Sequence, residues 1–147
     1  YFYENFPVAD LHAAGRNLDS YLMRVYEFLN SAEFLAFART VVGAPQIALA
    51  DAQATCYRPG DFLTQHDDLV VEKKRRAAYV FNFTRPWHAD WGGQLQFLDA
   101  DGHLAEGYTP AFNALNLLRV PQPHSVSYVT PLASGARYSI TGWLRER

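Results

Sequence analysis

At Pro45 the texture of the sequence changes, and the stretch beyond it constrains the fold most. Short segments rich in β-branched and aromatic residues alternate with Gly, Pro and Asp punctuation through to the last residue, Arg147. Strands are expected near residues 46–57, 61–66, 77–84, 93–98, 112–119, 124–129 and 136–145. Turns are expected at Arg58-Pro59-Gly60-Asp61, Ala100-Asp101-Gly102 and Ser134-Gly135. Residues 9–42 instead read as helical, because Leu18, Tyr21, Leu22, Val25, Phe28 and Leu29 recur at three- and four-residue spacing. Asn30 and Glu33 form a candidate capping box for a second helix, which Gly43 and Pro45 would stop. A helical opening before many short strands predicts a mainly β chain with N-terminal helices, a jelly roll or sandwich with helices packed on one sheet. The expectation is a single domain over 1–147, with 1–44 as helical support and 45–147 as the β-core.

Composition removes several function classes. Hydrophobic residues make up 49% and charged residues 19% of the chain, which suits a packed core and not a disordered segment. A net charge of -2 gives no reason to expect direct binding of nucleic acid. The single cysteine, Cys56, excludes an internal disulfide and a multi-cysteine zinc site, and suits a reducing compartment. No apolar run approaches the ~20 residues of a membrane helix. The opening YFYENFPVAD lacks the features of a signal peptide. A cytoplasmic location without a membrane partner is therefore expected.

Two independent patterns carry chemistry. In a strand, positions i and i+2 point to the same side, so His66 and Asp68 would converge while Asp67 points away. One more imidazole completes a facial triad, the arrangement that leaves positions open on iron(II). His124, at the start of an expected strand, is the candidate. An isolated H-x-D is a weak signal, and an exposed loop histidine is its ordinary alternative. His12, His88 and His103 read as solvated. The second pattern is the alternation over Ala136–Trp143. Arg137, Ser139, Thr141 and Trp143 share one face, with Tyr138, Ile140 and Leu144 on the other. A polar face that ends in tryptophan suggests a pocket interior, where a guanidinium needs an anionic partner. A dicarboxylate would supply it, with a hydroxyl from Ser139 or Thr141; the alternative is a surface arginine or a structural ion pair.

The order H-x-D, distal His, R-x-S resembles the 2-oxoglutarate oxygenases with a double-stranded β-helix (cupin-like) fold. Within them it is most similar to the prolyl hydroxylase branch, and there to the ribosomal prolyl hydroxylases. The resemblance rests on Cys56-Tyr57, Gly60-Asp61, Leu63, His66-Asp67-Asp68, Arg75-Arg76, Pro86-Trp87, Gly92-Gly93 and Leu95, then on Phe112-Asn113, His124, Arg137, Ser139-Ile140 and Gly142-Trp143. It implies iron(II) on His66, Asp68 and His124, and 2-oxoglutarate held by Arg137 with Ser139 or Thr141 and by the phenol of Tyr57. Dioxygen is the oxidant, and ascorbate an expected reductant. Gly92-Gly93 would let backbone pass close to the site. Relatives carry a tyrosine where this chain has Asn82, a shorter group for the same co-substrate. The substrate implied is a prolyl residue in a protein or peptide, expected in a ribosomal or translation protein. A free amino acid or small metabolite is the alternative substrate, and a non-catalytic binding module the alternative class. Two further segments bear on the substrate. The run Glu72-Lys73-Lys74-Arg75-Arg76 is a solvated hairpin end or a basic rim, and Trp87, Trp91 and Trp143 are candidates for a groove or for packing.

Overall fold

The computed structural model describes residues 2–147. Its elements in chain order are β1 (Glu4–Phe6), α1 (Val8–Ala13), α2 (Tyr21–Leu29), α3 (Ala32–Val42), β2 (Leu49–Ala50), β3 (Gln53–Tyr57), β4 (Leu63–His66), β5 (Arg75–Asn82), β6 (Leu95–Leu98), β7 (Leu104–Tyr108), β8 (Ala114–Arg119), β9 (His124–Val126) and β10 (Arg137–Arg145). The strands form two antiparallel sheets. The larger has the order β1-β3-β10-β5-β8, with β2 also beside β10, and the smaller β4-β9-β6-β7. This is the expected double-stranded β-helix, mainly β with helices on one sheet.

The two faces of the larger sheet differ in character. On its outer face Tyr79, Ile140 and Leu144 pack with Met23, Leu29, Phe34, Leu35 and Ala38 of the helices. Each of the Ile, Leu, Met and Phe side chains contributes roughly 1.5–3 kcal/mol on burial. On its inner face the register sets Arg137 opposite Tyr57, Ser139 opposite Thr55 and Asn82, and Thr141 opposite Gln53 and Val80. The expected alternation along residues 136–145 is thus the alternation of a sheet with an apolar back and a polar front.

Among the described residues the helical region is three α-helices and not the expected pair, with positive φ at Gly15 (66°) and Asn17 (56°) between the first two. The Asn30–Glu33 capping box is not formed. Asn30 ends α2, and its amide donates to Tyr26 O and Ala50 O while its Oδ1 accepts from Ala50 N. Asn30 therefore ties the helices to β2. The cap of α3 is Ser31, whose hydroxyl accepts from Phe34 N at 3.2 Å. The expected strand 46–57 is split at Asp51–Ala52. There the Asp51 carbonyl is held by the Tyr79 hydroxyl at 2.7 Å and lies against Gly142, where a Cβ would stand 2.1 Å from it. β1 and β7 have no counterpart among the expected strands. Among the described residues no helix is long and apolar enough to cross a membrane.

Candidate metal centre

β4 and β9 pair with His66 opposite His124, so the two imidazoles meet across one rung of the smaller sheet. Asp68 joins them by a different route from the one expected. β4 ends at His66, and Asp68 lies beyond it in the left-handed region at φ 63°. The turn, and not strand alternation, swings its carboxylate back. A non-glycine residue there is strained and needs support. Arg75 gives it: Nη1 donates to the Asp68 carbonyl at 3.1 Å and lies 3.9 Å from Oδ1. Asp67 turns away, its Oδ1 accepting from Leu69 N.

The three side chains form a candidate ligand set. Asp68 Oδ1 is 3.5 Å from His66 Nε2, Asp68 Oδ2 is 3.4 Å from His124 Nε2, and the donor atoms lie within 4.8 Å of one another. Each Nδ1 faces a backbone carbonyl, Thr64 O at 2.9 Å for His66 and Gln122 O at 2.7 Å for His124. With the proton on Nδ1, both Nε2 lone pairs are left for a metal. Burial, followed by the neighbouring His66, holds His124 below the usual imidazole range, which favours the neutral, ligating form. Two imidazoles and one carboxylate fit iron(II) with positions left open. Among the described residues no other group of His, Cys, Asp and Glu converges in this way, and His88 and His103 are exposed. His12 packs beside Tyr26 and Glu27.

The cavity beside this set measures about 460 Å³, and Tyr57, Arg137, Thr141 and Trp143 also line it. Arg137 is 1% exposed and, among the described residues, has no carboxylate partner. Its Nη1 is 3.5 Å from Ser139 Oγ, its Nε has no partner, and its guanidinium lies 5.1 Å from the Tyr57 ring. Burial lowers its pKa to about 10, below the ordinary guanidinium range. The Tyr57 phenol is pushed above its ordinary range, chiefly by burial, and stays a neutral hydroxyl. Gly92 and Gly93 (φ 70° and 64°) run behind the guanidinium. A Cβ at Gly92 would meet Tyr128 O at 2.0 Å, and one at Gly93 would press on Arg137 Cδ at 3.3 Å.

The other expected contacts divide. Thr141 lines the cavity, its Oγ1 accepting from Gln53 Nε2 at 3.3 Å. Ser139 lies within the sheet, its hydroxyl 2.8 Å from Thr55 Oγ1. Asn82 is on the inner face but is used by the sheet. Its amide donates to Asn116 Oδ1 at 3.0 Å and Ala114 O at 3.2 Å, and its own Oδ1 has no partner among the described residues. Trp143 faces the cavity, whereas Trp87 and Trp91 meet edge-on and pack against the cluster around Tyr57 and Val129.

The basic run is not a uniform rim. Arg75 turns inward over Trp143, 3.5 Å from the ring centroid, and Arg76 pairs with Glu146 at 2.5 Å. Counting back from Asn82, alternation would turn Arg76 inward. An irregularity where β5 meets Leu144 and Arg145 turns Arg75 inward instead. Because of that local shift, spacing alone does not reveal the place of Arg75 at the centre.

Residues 52–145 match the 2OG-Fe(II) oxygenase superfamily. The chain belongs to this superfamily. Membership implies iron(II), 2-oxoglutarate and dioxygen, and the His-Asp-His set fits that chemistry. The fold is similar to a Pseudomonas putida prolyl-4-hydroxylase (TM-score 0.70, 20% identity, 99% of this chain and 92% of that one). It is also similar to a Trichoplax adhaerens prolyl hydroxylase in complex with a hypoxia inducible factor oxygen degradation domain peptide fragment (TM-score 0.67, 18% identity, 98% and 63%). A viral collagen prolyl hydroxylase from Paramecium Bursaria Chlorella virus-1, in its 2OG complex, shares the fold at TM-score 0.55, 16% identity, 100% and 97%.

Proposed function

We propose that this oxygenase hydroxylates a prolyl residue in a protein or peptide, with iron(II), 2-oxoglutarate and dioxygen, and ascorbate as reductant. One observation carries the reading: a candidate three-residue ligand set and a buried cation with no carboxylate partner among the described residues line the same cavity. His66, Asp68 and His124 would hold the metal. Bound iron(II) would supply activation of dioxygen, coupled to decarboxylation of the co-substrate. Arg137 would neutralise the distal carboxylate of 2-oxoglutarate, with Thr141 and Tyr57 donating beside it and Ser139 and Asn82 fixing the sheet behind. The protein's task is to orient the reactants and keep water from them. Residues 1–147 would form one catalytic unit, acting in the cytoplasm.

Two buried donors near Asp68 and the cavity wall point to the substrate class. Among the described residues Arg75 Nε and Trp143 Nε1 are buried without partners; the Arg75 guanidinium lies over the Trp143 ring and 3.9 Å from Asp68 Oδ1. A carbonyl acceptor would satisfy them, and a prolyl residue offers a carbonyl but no N–H. The peptide in the Trichoplax complex supports a polypeptide substrate. A translation or ribosomal protein is the proposed target, with exposed Lys73 and Lys74 as the steering charges that remain. The test is succinate release with iron(II), 2-oxoglutarate and proline-containing peptides, combined with mass spectrometry of ribosomal proteins from cells with and without the enzyme. A prolyl mass gain of one oxygen that depends on the enzyme supports the reading. Stimulation by a free amino acid alone would replace the substrate, and no 2-oxoglutarate binding would make the chain a binding module.

A further inference from the structure

The residues matched to the superfamily begin at 52, yet two side chains from the start of the chain line the cavity: Tyr3 and Asn5. They reach it because β1 adds to the edge of the larger sheet, Glu4 opposite Cys56 and Asn5 opposite Thr55. Residues directly opposite in an antiparallel pair share a face. Asn5 therefore falls on the inner row that runs through Thr55, Ser139 and Asn82, while Glu4 falls on the outer face, where it pairs with Arg58. Ahead of β1, Phe2 exchanges both backbone hydrogen bonds with Phe62, at 2.9 Å each, just before β4. The segment Phe2–Phe6 thus spans from the edge of one sheet to the edge of the other and closes the side of the cavity nearest Arg137. Within it the Tyr3 ring stacks on Tyr57, centroids 4.6 Å apart and planes 10° from parallel, so Tyr57 is held between Tyr3 and the Arg137 guanidinium. The Asn5 side chain is exposed at the rim and makes no hydrogen bond with the described residues.

We propose that Tyr3 and Asn5 belong to the co-substrate pocket, Tyr3 as the positioning residue that fixes Tyr57 against the bound dicarboxylate and Asn5 as an amide donor to that anion at the rim. This rests on the reading of the cavity as a 2-oxoglutarate site. Stacked rings fix each other's planes, so losing Tyr3 would free the Tyr57 phenol and open the wall to water. An exposed amide facing an anion beside a buried cation adds a donor at little desolvation cost.

The experiment is titration calorimetry of 2-oxoglutarate into manganese(II)-loaded full-length protein, with the manganese affinity measured separately. Tyr3→Ala is expected to weaken 2-oxoglutarate about tenfold, the order an aromatic pair contributes. Tyr3→Phe, which keeps the stack, should stay within about twofold of the parent on the same grounds. Asn5→Asp turns a donor into a like charge and should weaken the dicarboxylate about tenfold or more without weakening manganese. Glu4→Gln is the control: it removes the exposed ion pair with Arg58 but faces away from the cavity, and it should leave 2-oxoglutarate binding unchanged. Unaltered affinity in both Asn5→Asp and Tyr3→Ala overturns the proposal, as does an equal loss in Glu4→Gln, which would reduce the segment to a clamp. If the parent protein itself binds no 2-oxoglutarate, the reading of the cavity fails, and that result is distinct from a failure of Tyr3 and Asn5.

Discussion

Replacing Arg137 with methionine should make the ligand-free protein more stable and its co-substrate binding negligible. Methionine keeps the aliphatic length and removes a charge that is 1% exposed and has no carboxylate partner among the described residues. Burial lowers the Arg137 pKa to about 10, which corresponds to about 3 kcal/mol against the charged form in the folded state. The penalty is present in full at every pH below about 10 and is relieved only as pH rises from there towards the ordinary guanidinium value of the unfolded chain. Some of the gain is lost with the weak contact to Ser139 Oγ at 3.5 Å. A net gain of about 1–3 kcal/mol is expected, as for other buried charges replaced by apolar groups. At about 2–4 °C per kcal/mol for a chain of this size, the melting temperature should rise by several degrees. The parent, in contrast, should gain about 2.7 kcal/mol from 2-oxoglutarate at about one hundred times its Kd, and Arg137→Met nothing. Melts of the manganese-loaded proteins with and without 2-oxoglutarate read both effects. A mutant that melts well below the parent without ligand, and still gains from 2-oxoglutarate, would show that Arg137 is a structural cation.

Asp68→Ala should abolish cobalt(II) or manganese(II) binding in calorimetry while the far-ultraviolet dichroism stays that of the parent, because Asp68 touches both imidazoles but lies outside every strand. Gly92→Ala should destabilise by at least about 2 kcal/mol in urea unfolding, since its Cβ would meet Tyr128 O at 2.0 Å at a φ of 70°. A cost below about 0.5 kcal/mol would mean that the loop shifts freely.

Much of this architecture is legible in the sequence because residue type and spacing agree. The polar row Arg137, Ser139, Thr141 predicts its own inner face, and the register with β3 and β5 carries that row across the sheet. His66, Asp68 and His124 are recognisable as donors, but the reason for their meeting is not. Strand alternation predicts the convergence of His66 and Asp68, while the chain uses a left-handed turn at Asp68 held by Arg75, a residue seven positions on. β7 escapes detection because all five of its residues are exposed, so it has no buried face to alternate against. β1 escapes because three residues are too few for a pattern, and its partner strand β3 is distant in the chain. The helix cap is displaced by one residue from its expected place because Asn30, a good capping residue, is occupied in binding Ala50.

The larger sheet does two jobs on two sides of one backbone. Its apolar back joins the helices, and its polar front faces the ligand set. Neighbouring residues on a strand such as Ile140 and Thr141 therefore have different surroundings, one the apolar core under the helices and the other the cavity. In most enzymes a new activity has to be traded against stability because both draw on the same packing. Here, substitutions at alternate positions of β5 and β10 should fall into two nearly independent classes. Mutational libraries restricted to the front could then search for new substrates while the scaffold's tolerance is kept in reserve behind it.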